Sequence, residues 1–222
     1  MKFIASLLIF SSLSYSLTVG DVLRHQASSN FPDTAEIRMH MTVAITDNVT
    51  QTMEMKILQK GPDKSFSEMK SSLINIRTVQ NGTRTVVEDL KTGKKQLSPE
   101  IVDASQSINV TKQLGDSTDY EAPVVDGILW RLEPKTSGKP TLFYDAAQGR
   151  IVEMQLTFPT GQTSVTKIDY APNTAIQLVP GTPSKITMVT TSAGIQTTVN
   201  LQVLLSVKRS DILDAVFNVA IP

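Results

Sequence analysis

Cysteine is absent from the 222 residues, and histidine occurs twice. Without thiols there can be no disulfide, no thiolate zinc site, no cysteine nucleophile and no acylated cysteine anchoring the chain to a membrane. Aromatic residues make up 5% of the chain, with a single tryptophan. Charge of one sign is also missing: 21 basic residues face 21 acidic ones, and without Lys2 the balance is 20 to 21. A chain with no basic field has nothing to steer it onto phosphate, which argues against nucleic-acid binding. Short basic clusters such as KTGKK (91–95) sit in glycine-containing turns and read as solvated turn residues.

The two histidines carry little chemistry. His25 falls on a helical pattern and His40 on the polar parity of a strand, and neither has a second ligand at helical or hairpin spacing. No nucleophile elbow, phosphate loop or dinucleotide fingerprint is present, so the sequence predicts no metal, no cofactor and no catalysis. Three N-x-T sequons, at Asn48, Asn81 and Asn109, are read as chance matches in a threonine-rich chain.

What is there begins with MKFIASLLIFSSLSYS, residues 1–16: a basic start, an apolar run and small residues at its exit. This is the pattern of a cleavable export signal, with cleavage expected after Ser16. The run is too short and too rich in serine to span a bilayer. The remaining 17–222 read as a single domain, exported and soluble: periplasmic in a diderm bacterium, secreted otherwise.

Residues 18–30 have Val19, Val22, Leu23 and Ala27 at helical spacing, with Thr18 as N-cap and Phe31-Pro32 as the stop. Alternating runs follow at 36–46 and 50–59, and strands then recur every 10–15 residues between turns such as Asn81-Gly82, as in a meander. Residues 98–120 break the rhythm and read as an inserted helical or loop flap. After it come GILWRLEP, PTLFYD, RIVEMQLTF, TSVTKIDY, SKITMVTT and IQTTVNLQVLLSV, and the tail DILDAVFNVAIP closes the chain.

Two runs have clear parity. Val152, Met154, Leu156 and Phe158 alternate with polar residues, and Ile195, Val199, Leu201, Val203 and Leu205 share one face. Strands of this kind build an antiparallel sheet covered on one side. The candidate covers for a sheet of about nine strands are the N-terminal helix, the flap and the closing tail.

In EIRMHMTVAI, Met39, Met41, Val43 and Ile45 fall on one face, and MEMKI repeats the pattern with Met53, Met55 and Ile57. Methionine fills irregular cores and also lines surfaces that accept apolar ligands of varying shape. Periodicity by itself favours core. Trp130 is either core or cavity rim, and Ile128 and Leu132 on its parity favour core.

The hairpin of residues 140–170 places Phe143-Tyr144-Asp145, Gly149-Arg150-Ile151-Val152-Glu153-Met154, Gly161 and Asp169-Tyr170 in an order that resembles the LolA-like outer-membrane lipoprotein-sorting and carrier family. The helix VGDVLRHQ, the strands AEIRMHMTVAI and MEMKILQKGPDKSF, and the ending DAVFNVAIP resemble the same group, so the likeness covers most of 18–222 in order. The resemblance implies an incomplete antiparallel β-barrel, a strongly curved sheet with a few short covering helices. It implies an apolar concave face that shields the acyl chains of a lipoprotein or other lipid in transfer toward the outer membrane, taken from an inner-membrane donor complex and passed to an outer-membrane acceptor. A monomer is expected. The family's lid-latching arginine has no assigned counterpart among Arg38, Arg77, Arg84 and Arg131.

On this reading the acyl-chain face comprises Met39, Met41, Val43, Ile45, Met53, Met55, Ile57, Trp130, Val152, Met154, Leu156 and Phe158. Two alternatives stay open: a lipid- or lipoprotein-sensing regulatory protein, and a structural envelope protein whose sheet face is filled by its own side chains.

Overall fold

The computed structural model describes residues 17–27, 34–45, 49–61, 63–98, 114–170, 178 and 181–218. The proposed signal (1–16) and most of the proposed flap (99–113) lie outside the described residues.

One helix, α1 (Val19–Ala27), precedes the strands. Its start is fixed locally. The hydroxyl of Thr18 accepts from the Asp21 N–H (3.1 Å), while the Asp21 carboxylate accepts from the Thr18 N–H (3.1 Å) and hydroxyl (2.6 Å). This reciprocal cap satisfies N–H groups that have no partner within the helix. Held mainly by the Thr18 hydroxyl, the Asp21 carboxyl sits below the ordinary carboxylate range.

Thirteen strands form one antiparallel sheet. The first six are β1 (Thr34–Ile45), β2 (Val49–Lys60), β3 (Lys64–Lys70), β4 (Asn75–Asn81), β5 (Arg84–Asp89) and β6 (Lys95–Ser98). The other seven are β7 (Val124–Asp126), β8 (Leu129–Leu132), β9 (Thr141–Asp145), β10 (Arg150–Thr157), β11 (Thr163–Asp169), β12 (Lys185–Ser192) and β13 (Ile195–Lys208). Their spatial order is β6-β5-β4-β3-β2-β1-β13-β12-β11-β10-β9-β8-β7. Two meanders therefore meet at the long β1–β13 pair. The sheet is not closed into a barrel, and its edges β6 and β7 are among its shortest strands, a usual way of blunting edge pairing. The expectation of about nine strands undercounted chiefly these short edge strands. Two short helical turns, Ser117–Asp119 and Asp214–Phe217, complete the elements among the described residues.

The hairpins follow glycine. Ala193 and Gly194 both take positive φ (50° and 80°), as a two-residue turn matched to strand twist requires, and Ala193 is the only non-glycine residue described with positive φ.

Two register shifts alter the predicted parity. On β10 the pairing with β9 jumps between Ile151 and Glu153, so Ile151 and Met154 share a face and Val152 is the extra residue. On β13 the pairing with β1 skips Leu204, so Val203 lies opposite Met39 and Leu205 opposite Arg38. Leu205 is thus on the polar side of β1, not on the face of Val203 as its spacing predicted.

The closing tail corrects a second expectation. Ile212, Val216 and Phe217 pack with Leu58, Phe66 and Val79, on the face opposite the methionines. Here β2 is apolar on both parities, Ile57 on one side and Leu58 on the other, so both faces of the sheet need cover. Lys60 and Lys64 hold the tail through Asp214 (3.0 and 3.2 Å).

Candidate functional site

Residues directly opposite one another in an antiparallel pair present their side chains on the same face. Met39 pairs with Met55 and Met41 with Met53, so all four methionines line one face, joined by Val43, Ile45 and Ile57. Across β13 this inner face continues through Val203, Leu201 and Val199, and then through Ile186 and Met188 on β12. Ile168 on β11 and Met154 and Leu156 on β10 carry it further, to Leu142 and Tyr144 on β9 and to Leu132 and Trp130 on β8.

One end of the inner face is covered. Val19 and Val22 of α1 form a buried cluster with Leu142, Tyr144, Ile151, Met154, Ile168 and Ile186, and Leu114 and Tyr120 join it. Polar contacts fix the helix there. The Gln26 carbonyl accepts from the Ile151 N–H (3.0 Å), and its amide donates to the Tyr170 hydroxyl (3.2 Å). Gln26 thereby satisfies a backbone donor at the β10 bulge, and it is itself 3% exposed. His25 Nδ1 lies 2.6 Å from the Tyr144 hydroxyl, and the Arg150 guanidinium stands 5.0 Å over the Tyr170 ring. Burial pushes the phenols of Tyr120, Tyr144 and Tyr170 up, Tyr120 to about 12.

Among the described residues the other end is open. Beyond Met41 the inner-face side chains grow more exposed, with Met188 at 38%, Ile45 at 42% and Ile195 at 56%. A hollow of about 370 Å³ lies here, walled by Met154, Leu156, Phe158 and Met188 and edged by Thr166 and Thr190.

The structure therefore divides the twelve residues predicted for the site. Met39, Met53 and Ile57 are buried, Met39 within a cluster with Ala35, Ile37 and Val203. Met41, Val43, Met55, Leu156 and Phe158 are half-buried, and Ile45 is exposed. Met154 reaches both the covered cluster and the hollow. Trp130 packs half-buried against the covered cluster, but Ile128 is 92% exposed in a turn and gives it no support. Val152 is separated from the rest: as the bulge residue it lines a different hollow, with Glu153, Lys167 and Asp169. Met188 and Ile186 belong to the face and were not singled out from sequence, although the alternation in SKITMVTT held the signal; Leu201 was read as part of an apolar strand face but not assigned to the site.

With the exception of Asp89 on β5, the described charged side chains of β1 to β6 fall on the opposite face, where β3 to β6 carry a ladder: Arg77 bonds Glu68 (2.9 Å) and Glu88 (3.4 Å), and Lys95 reaches Glu88 (3.9 Å). His40 lies there too, 3.9 Å from Glu54. Among the described residues no group of three or more acidic or histidine side chains is placed to hold a metal, and no helix is long and apolar enough to cross a membrane.

No family model matches the chain, and neither does any curated protein. Solved structures do. A LolA superfamily protein from Nitrosomonas europaea aligns at TM-score 0.58 and 13% identity, covering 91% of this chain and 98% of its own. An outer membrane lipoprotein-sorting protein domain from Vibrio parahaemolyticus aligns at 0.56 and 10%, covering 89% and 95%. A DUF1329 family protein from Desulfovibrio piger aligns at 0.53 and 12%, covering 90% and 95%. At these identities the likeness is one of fold: an open, LolA-like antiparallel sheet.

Proposed function

We propose that the chain is an exported carrier of acyl chains, of a lipoprotein or another lipid, holding them against the inner face between a donor membrane and an outer-membrane acceptor. The observation that carries this reading is the asymmetry of that face. It is apolar across β1, β2 and β8–β13, capped at one end by α1 and open at the other through the hollow of Leu156, Phe158 and Met188. Each CH₂ kept from water is worth about 0.8 kcal/mol, so a bound chain gains several kcal/mol from such a face. The LolA-like fold supports the reading, as does the signal-like segment at 1–16. A single polypeptide suffices for this role, and the region after the signal acts as one unit.

Native mass spectrometry with organic extraction, on mature protein purified without detergent from its host, tests it. Co-purifying acyl lipid is expected, and it should be lost in a folded Met41→Ser/Leu156→Ser variant. Clean protein that also fails to bind a fluorescent fatty acid would sink the carrier reading and favour a sheet filled by its own side chains.

A further inference from the structure

The cluster KTGKK (91–95) forms the turn between β5 and β6, and its three lysines have different surroundings. Asp89 builds the turn. Its carboxylate accepts from the Lys91 N–H (2.8 Å) and the Thr92 hydroxyl (2.9 Å), and its carbonyl accepts from the N–H of Gly93 (2.7 Å), which takes positive φ (71°). The Lys91 ammonium donates to the Ser72 and Leu73 carbonyls (2.8 Å each), tying this turn to the one between β3 and β4. Lys95 is on the outward parity and reaches Glu88 (3.9 Å). Lys94 stands across from Asp89, whose N–H donates to its carbonyl (2.9 Å), and so falls on the inward parity. Among the described residues its ammonium has no hydrogen-bond or ion-pair partner.

A hollow of about 450 Å³ lies beside it, lined by Ile76, Val87, Asp89, Lys94, Lys95 and Gln96. The apolar wall of this hollow leads onto the methionine face. Ile76 lies opposite Met69, Met69 opposite Met55 and Met55 opposite Met39, one row across β4, β3, β2 and β1. Ile76, Met69 and Met55 are half-buried. Four strand spacings, about 19 Å, separate the position of Lys94 from Met55. The turn and its neighbour Glu88 set three ammonium groups, Lys91, Lys94 and Lys95, against two carboxylates, Glu88 and Asp89, which leaves one positive charge over. A cation at the end of an apolar row matches an amphiphile whose head is negative; an uncharged head gains nothing from it and a cationic head is repelled.

We propose that the ligand carries an anionic head, a phosphate or a carboxylate, which pairs with Lys94 in this hollow while its acyl chain lies along Ile76 and Met69 toward Met55. This assignment rests on the carrier reading and adds a head-group preference to it.

Displacement of a bound, uncharged pyrene-labelled long-chain alcohol at low ionic strength separates the two. Three competitors of equal chain length, each kept below its micellar concentration, are an alkyl phosphate, a fatty acid carboxylate and its methyl ester. Each anion should compete about three- to fivefold better than the ester, the size expected of an exposed ion pair. Lys94→Gln, at an exposed position, should bring that ratio to about one while leaving the affinity for the ester and the urea midpoint unchanged. Lys95→Gln removes the same charge next door and should keep a ratio of at least about twofold. The better anion names the source: the phosphate, a phospholipid head; the carboxylate, a free fatty acid. Equal competition by all three on the wild type overturns the head-group assignment and leaves the carrier reading standing. So does a ratio that Lys94→Gln leaves unchanged, or that Lys95→Gln lowers as far. A probe that never binds folded protein overturns both.

Discussion

The two ends of the inner face are built from the same alternation yet behave differently. At the α1 end, Leu142, Ile151 and Val22 are fully enclosed, and three tyrosines and Gln26 supply polar contacts beneath the helix. At the far end, Leu156, Phe158 and Met188 wall one hollow and Ile45 stands exposed further along the same face, with no element over them among the described residues. An apolar face becomes core only where something covers it; strand parity sets the face and leaves the cover to be supplied from elsewhere.

The largest effect should come from cutting the enclosed end. Leu142→Ala removes a fully buried side chain beneath α1 and should cost about 2–5 kcal/mol, read as a lower midpoint in urea. Leu156→Ser at the open end should cost less, about 1–2 kcal/mol, because its side chain is only partly buried, while abolishing capture of an alkyl probe. If both variants destabilise equally, the two ends do not differ and the open end is core.

Next in size is the helix clamp. Gln26→Ala leaves the Ile151 N–H without its acceptor beside the β10 bulge, and the expected loss is about 1–3 kcal/mol. Hydrogen exchange at Ile151 should speed up more than at Leu201, which lies away from α1.

Alkaline pH should act at the covered end as well. Burial, with a smaller contribution from the charge of Asp119, holds the Tyr120 phenol protonated up to about 12, and its hydroxyl donates to the Leu114 carbonyl (2.9 Å). An unfolded tyrosine loses its proton near about 10, so between these values the native state binds more protons. The stability due to Tyr120 is therefore complete below about pH 10 and is lost as pH rises through about 12. Tyr120→Phe should flatten that part of the stability-versus-pH curve.

Much of this contrast could be read from sequence. The alternation at Met39, Met41, Met53 and Met55 gave the shared face, Thr18 gave the helix start, and the glycine turns gave the hairpins. What could not be read depends on contacts distant in the chain. Val152 leaves the inner face because Ile151 turns its N–H to Gln26, 125 residues away, and Leu205 leaves it because β13 must absorb an extra residue against β1. The tail sits on the opposite face because Leu58, Phe66 and Val79 form an apolar strip there, which shows only once β2, β3 and β4 are set in register. Within the candidate site, parity named the wall but could not distinguish buried Met39 from half-buried Met41.

The smallest expected effect lies at the open end itself. Ala193 holds φ of 50° in the β12–β13 turn, next to Ile195 and on the hairpin that carries Met188. A side chain there strains the backbone, and glycine relieves it at some entropic cost, so Ala193→Gly should stabilise the protein by about 0.5–1 kcal/mol. For a chain of this size that is a rise of about 1–4 °C in Tm. If the hairpin is only a rigid wall of the hollow, alkyl-probe affinity should not change. A stabilised variant that binds the probe more weakly would mean that the strained turn helps the open end to part, and the difference between the two ends would then be one of mobility as well as of cover.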